Sequence, residues 1–166
     1  ANTATPTVTQ PGTYTITVTA GNGCSSTDQV VVSPRADITS MTASTCSGST
    51  FSVSPVDGTN GAVPSGTTYS WSAPSAAGIT GATSGSGATS IGGTLTNTTN
   101  TAADIVYTVT PTANGCVSPS FTLTMTVNPT PSISAMTATS CSPASFSVTP
   151  VHGTNGSVPS GTTYSW

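Results

Sequence analysis

Residues 36–71 read ADITSMTASTCSGSTFSVSPVDGTNGAVPSGTTYSW, and residues 131–166 read PSISAMTATSCSPASFSVTPVHGTNGSVPSGTTYSW. The two stretches are identical at 24 of 36 positions, without a gap, at an offset of 95 residues. Self-similarity of this length at a fixed period is the mark of a tandem array. A period of 95 residues is too long for a solenoid turn and suits one small β-domain. The chain therefore divides into three parts: 1–34, the C-terminal strands of one unit; 35–130, a complete unit; and 131–166, the N-terminal strands of the next. Trp166 is the counterpart of Trp71, which lies in the middle of a unit. The sequence reads as a window on something longer.

Within the complete unit the apolar residues recur with period two, the spacing of half-buried strands. Asp37 to Ala43 is predicted as a first strand, Phe51 to Pro55 as a second and Thr67 to Trp71 as a third. Residues 76–94 are rich in Gly, Ser and Thr, with Ile79 and Ile91 as sparse anchors, so only short strands are expected there. Gly93 to Asn97, Ile105 to Pro111 and Phe121 to Val127 complete about seven strands, the number of a two-sheet immunoglobulin-like sandwich. Ala113-Asn114-Gly115 marks a hairpin turn, because Asn and Gly tolerate positive φ. In the preceding unit, Tyr14 to Thr19 and Asp28 to Val32 are strands joined by Gly21-Asn22-Gly23. A Trp on the third strand is the core anchor of such sandwiches. Trp71, Tyr107, Val53 and Val109 are expected in the core of the complete unit, with Tyr14 and Trp166 anchoring the other two. The fold class is all-β: tandem two-sheet sandwiches.

The charges are few. Arg35 is the single Lys or Arg, the acids are Asp28, Asp37, Asp57 and Asp104, and the net charge is −3. Without a basic patch, neither nucleic acid nor an anionic membrane is a fitting partner. No run of about 20 apolar residues is present, so no membrane-spanning helix is expected. With no lysine, Lys–Asn isopeptide cross-links are excluded as a means of stiffening the chain. The four cysteines fall in two recurring contexts, Asn-Gly-Cys at Cys24 and Cys116 and Cys-Ser at Cys46 and Cys141. Two per unit in a charge-poor β chain suggests disulfides and an oxidising, extracellular compartment. Cys46 precedes the second strand and Cys116 follows the penultimate one, which puts them at opposite ends of a sandwich. Either the strand order differs from this expectation, or each bond joins neighbouring units.

Catalysis lacks functional groups. A Ser/His/Asp arrangement needs a base, and the one histidine, His152, has Asp57 as its counterpart. A residue that exchanges with Asp in a copy of the same domain reads as part of a solvated loop. Glycosidic chemistry needs two facing carboxylates, and the unit offers only Asp37, Asp57 and Asp104. Asp57-Gly58-Thr59-Asn60-Gly61 faintly resembles a calcium loop, but calcium takes six to eight oxygens, several from carboxylates. No CxxC or Cys/His zinc spacing is present. Tyr69 and Trp71 offer a sugar platform only if they face outward; their alternation with hydroxyl residues favours the core. The connector Asn128-Pro129-Thr130-Pro131 is short and stiff, so successive units are expected to form a semi-rigid rod.

Four stretches carry a family resemblance: GTTYSWSAPSAAGITG (66–81), GTLTNTTNTAADIVYTVTPTANGC (93–116), FTLTMTVNPTPSIS (121–134) and PGTYTITVTAGNGCSSTDQVVVSP (11–34). They resemble the PKD-like, immunoglobulin-like repeats of giant surface adhesins in gliding Bacteroidota, the flavobacterial kind exported by the type IX secretion system. The resemblance implies a non-catalytic segment of a cell-surface filament in gliding or adhesion. Its partners would be neighbouring repeats, extracellular polysaccharide or other surface proteins, and the secretion and motility machinery through regions elsewhere. The competing reading is a spacer or accessory module of a secreted polysaccharide-degrading enzyme. The resemblance implies no cofactor and no catalytic residue.

Overall fold

The computed structural model describes residues 7–166, so the first six residues of the unit assigned to 1–34 lie outside the described residues. Two strands, β1 (Gly12–Thr19) and β2 (Ser25–Val32), form an antiparallel hairpin in continuous register, Gly12 opposite Val32 and Thr19 opposite Ser25. The central unit follows as β3 (Asp37–Ile38), β4 (Met41–Cys46), β5 (Thr50–Val53), β6 (Gly61–Ala62), β7 (Thr68–Trp71) and β8 (Ile79–Thr80). It continues with β9 (Gly85–Ala88), β10 (Ile91–Thr94), β11 (Thr96–Asn97), β12 (Ala103–Ala113), β13 (Cys116–Val117) and β14 (Phe121–Asn128). Beyond it lie β15 (Ser132–Ile133) and β16 (Gly156–Ser157). No helix occurs among the described residues.

The central unit is a two-sheet β-sandwich. Its larger sheet has the order β4-β14-β12-β7-β9, with β13 on the end of β12. The pairings are antiparallel except β4 with β14, which run parallel from Met41 opposite Leu123 to Cys46 opposite Asn128. Against it stands the β5–β10 pair, with the short β3–β6 and β8–β11 ladders. Period-two alternation explains the layers. On β12, Ile105, Tyr107 and Val109 are buried while Asp104, Val106 and Thr108 are exposed. On β14, Phe121, Leu123, Met125 and Val127 all face inward.

The predicted strand from Asp37 to Ala43 is broken in two. A single strand places residues an even number apart on one face, yet Ile38 and Met41, both packed into the core, are three apart. The chain resolves the mismatch by changing sheets. β3 pairs with β6, and after Thr39-Ser40 the chain crosses to lie beside β14. Thr39 N–H donates to Asn60 O (3.0 Å) on one side, and Thr122 Oγ1 donates to Ser40 Oγ (3.0 Å) on the other.

Aromatic rings tie the layers together. Phe51 of β5 meets Tyr107 edge-on at 6.0 Å, Trp71 meets Tyr107 at 6.5 Å, and Tyr69 meets Phe121 at 6.4 Å. Trp71 Nε1 donates to Thr83 O (2.9 Å), so its polar edge is satisfied. Gly85, opposite Trp71 on β9, gives the indole its room: a methyl there would overlap the ring. Val109 is fully buried, and Val53 is half-buried against the same core.

The flanking parts behave differently. Tyr14 is half-exposed, its hydroxyl donating to Gln10 O (2.9 Å), and Ile16, Val18, Val30 and Val31 are exposed. Trp166 is wholly exposed. These two residues, expected as core anchors, are not buried. What covers Trp71 comes from residues 83–109: Thr83, Gly85, Tyr107 and Val109. The counterparts of β4, β5 and β7 within 131–166 form no ladder, and within that segment only β15 and β16 pair.

Candidate functional site

The central unit has two poles, and the chain uses both. β12 climbs from Ala103 to Ala113, and β14 descends from Phe121 to Asn128. At the upper pole, Asn114 (φ 51°) and Gly115 (φ 78°) form the hairpin turn that the sequence predicts, both central residues left-handed as a type I′ turn requires. Here the chain enters the unit. Asn114 Nδ2 donates to Pro34 O (3.2 Å), and the buried Ala36 N–H donates to Ser118 Oγ (3.0 Å). At the lower pole the chain leaves through Asn128–Pro131.

The lower pole is organised by Asn97, a buried polar residue that the sequence reading passed over inside a predicted strand. Its Nδ2 donates to Val127 O (2.7 Å) and Thr101 O (2.8 Å), and its Oδ1 accepts from Thr99 N–H (2.8 Å) and Thr99 Oγ1 (2.7 Å). Its backbone N–H donates to Ser47 Oγ (2.9 Å). Ser47 N–H in turn donates to Asn128 O (2.7 Å), and Thr130 Oγ1 donates to Ser47 O (2.9 Å). Asn97 thus fixes the loop 98–102 and the end of β14 with its side chain and, through the bond of its backbone to Ser47, the connector. A short Asn among Thr residues ordinarily marks a turn; here the same versatility serves a buried hub.

The loop holding Asp57 is built twice. Asn60 Oδ1 accepts Val56 N–H (2.9 Å), and Asn155 Oδ1 accepts Val151 N–H (2.9 Å). Asp57 Oδ1 accepts Val63 N–H (2.8 Å), and His152 Nδ1 accepts Val158 N–H (3.1 Å). Asp and His exchange here because each presents one acceptor at the same distance from its backbone. The position is a loop brace rather than a merely solvated one. The oxygens of Asp57 and Asn60 that suggested calcium are both directed at backbone amides. Among the described residues no three His, Cys, Asp or Glu side chains cluster as a metal site would.

The four cysteines expected to form disulfides are free thiols, all exposed. For Cys46 and Cys116 the reason is their placement. Cys46 stands opposite Asn128 at the lower pole, and Cys116 stands beside the Asn114-Gly115 turn at the upper pole. The length of β14 separates them by about 25 Å, far beyond the ~4–7 Å between Cα atoms that a disulfide spans. A Cys46–Cys116 bond within the unit is thereby excluded. Cys24 and Cys141 belong to the hairpin and to residues 131–166.

A groove of about 550 Å³ crosses the outer face of the larger sheet, lined by Ser70, Ser72, Val106, Thr108 and Thr110. Its walls carry no titratable side chain. Trp71 also borders this groove, but at 8% exposure, and Tyr69 is buried at 3%, so neither ring lies open as a sugar platform.

The family model for the PKD-like domain matches residues 43–131, more than half of the chain. No curated protein and no solved structure matches it.

Proposed function

We propose, on the premise that the chain belongs to the PKD-like domain family, that it is a structural segment of an extracellular, cell-surface stalk used in adhesion or gliding. The observation that carries this reading is the separation of the two connectors. The chain enters at the Asn114–Ser118 pole and leaves at the Asn128 pole, so consecutive units extend end to end. β12 spans 11 residues, and at about 3.3 Å per residue plus loops the axial rise is roughly 35–40 Å per unit.

The β4–β14 pairing suits a load-bearing role. Tension enters near Met41 at the top of β4 and leaves at Asn128 at the bottom of β14, and the two strands run parallel through six residue pairs. Pulling such a pair from opposite ends loads its hydrogen bonds together, in shear, instead of opening them one at a time. The near-absence of charge leaves hydroxyls as the wetting groups, which suits contact with neutral polysaccharide or with other surface proteins. Export by a type IX system and attachment to motility machinery belong to this reading through regions outside the chain. Covalent staples, where they form, join units: the lower-pole Cys46 of one to the upper-pole cysteine of the next, with a disulfide-bearing oxidant taking the two electrons and two protons.

The chain is read as non-catalytic, since its one histidine, His152, braces a loop. The test is the protein's full-length sequence together with electron microscopy of the secreted protein. Many copies at a period near 95 residues and thin rods with a rise of about 35–40 Å are expected. One or two copies beside a catalytic domain would overturn the stalk reading in favour of an enzyme spacer.

A further inference from the structure

Resting on the stalk reading above, we propose that the lower pole of each unit is a socket for the Pro-Ser-Gly turn of the unit that follows, so that the partner of this surface is the next unit of the same chain.

The turn is built before it docks. Thr162 N–H and Thr162 Oγ1 both donate to Pro159 O (3.2 and 2.7 Å), with Gly161 at φ 80°. Ser160 and Gly161 are thus the two central residues, and the positive φ of Gly161 at the second of them is what a type II turn requires. The closing bond uses Thr162 N–H, which leaves the Ser160 N–H directed outward. That group donates to Asn100 O (3.3 Å), at the tip of the loop that Asn97 holds. Between Asn100–Ala102, the connector residue Pro129 and Pro159-Ser160 lies a cavity of about 280 Å³ with no charged side chain in its lining. The turn therefore seats by shape and one backbone bond, without desolvating an ion.

The complete unit carries the same turn. Residues 63–71 and 158–166 are identical, VPSGTTYSW. Thr67 N–H and Oγ1 donate to Pro64 O at 3.2 and 2.6 Å, and Gly66 has φ 78°. Thr68 pairs with Thr112 near the top of β12, which places Pro64–Gly66 at the upper pole. Each complete unit thus presents a plug above and a socket below. The contact is heterologous and does not close on itself, the geometry that propagates along an array. The socket is also tied to the connector through Ser47 and Thr130, so the angle between units is set by the loop and the connector together.

The test uses the full chain with nitroxide labels at native Cys46 and at Thr154→Cys, in a background of Cys24→Ser, Cys116→Ser and Cys141→Ser. Electron–electron dipolar spectroscopy reads the distance between the lower pole and the following loop. A single narrow distribution is expected, unchanged in Ser160→Ala, which keeps the N–H. At least a twofold broadening is expected in Ser160→Pro, which removes it. Equal widths in Ser160→Ala and Ser160→Pro would overturn the socket while leaving a stiff stalk standing. Broad distributions in all three would overturn both. Because Ser160→Pro can disturb the turn itself, amide exchange in the unaltered protein supplies the second arm. Ser160 N–H should exchange at least fivefold more slowly than the same amide in the free peptide VPSGTTYSW. Equal rates would overturn the proposal.

Discussion

Replacing Asn97 by Ala should be among the most damaging single changes in the central unit. The side chain makes four hydrogen bonds from a site that is 8% exposed. Its removal strands the carbonyl of Val127 in the interior, at a cost of about 1–3 kcal/mol. The bonds with Thr99 and Thr101, closer to solvent, add about 0.5–1.5 kcal/mol each before water replaces part of them. A loss of about 3–5 kcal/mol follows, against a total stability of about 5–15 kcal/mol for a domain. At about 4–8 °C per kcal/mol in a domain of this size, the midpoint should fall by at least ~12 °C. Asn97→Asp sharpens the test. It keeps an acceptor for Thr99 but turns an anionic oxygen toward the carbonyls of Val127 and Thr101, so at neutral pH it should be no more stable than Asn97→Ala. That environment disfavours the charged carboxyl and raises its pKa. Stability should therefore return partly as the pH falls and the protonated group donates one bond. Urea unfolding followed by tryptophan emission reads both variants, in a Trp166→Phe background so that Trp71 alone reports. An Asn97→Ala change under about 1 kcal/mol, or an Asn97→Asp protein clearly more stable than Asn97→Ala at neutral pH, would refute the hub.

Gly85→Ala should cost about 1–3 kcal/mol as overpacking against the indole of Trp71. The loss should shrink in a Trp71→Phe background, a coupling that a double-mutant cycle in thermal unfolding measures. Burial pushes the phenols of Tyr69 and Tyr107 above the ordinary tyrosine range. A folded-state pKa raised above the unfolded one stabilises the fold fully below about pH 10, and that contribution is lost as the pH rises through the raised values. Alkaline titration by ultraviolet absorbance and circular dichroism should show ionisation of these two phenols coupled to unfolding, and Tyr107→Phe should weaken the coupling.

Much of the fold was legible because its determinants are local. Asn114-Gly115 predicts a turn with two positive φ values, and both are observed. The alternation along Ile105–Pro111 and Phe121–Val127 predicts which side chains meet the opposite sheet, and Tyr107 and Leu123 do so with almost no exposure. The broken first strand was also written in the chain, in the odd spacing between Ile38 and Met41, but the prediction of one strand from Asp37 to Ala43 ran across it. The opposite-end placement of Cys46 and Cys116 follows from strand order, and the structure removes the alternative of an unexpected order.

What the sequence concealed depends on atoms brought together from afar. Residues 76–94 read as weakly specified because they are poor in side chains, yet Gly85 is required beneath Trp71, and the Gly92-Gly93 pair lies against Phe51. There the missing side chains are the specification. At position 57 and its counterpart 152, comparison by residue type suggested a tolerant, solvated site, because aspartate and histidine differ in charge and shape. Compared by atom, they are alike: each offers one unprotonated acceptor to the amide six residues on. The same holds for Asn97, whose amide both donates and accepts and therefore satisfies carbonyls and N–H groups at one buried point. In a chain with so few charges, specificity passes to neutral donors and acceptors. Their roles emerge when the register of β12 and β14 sets which backbone groups remain unpaired at each pole.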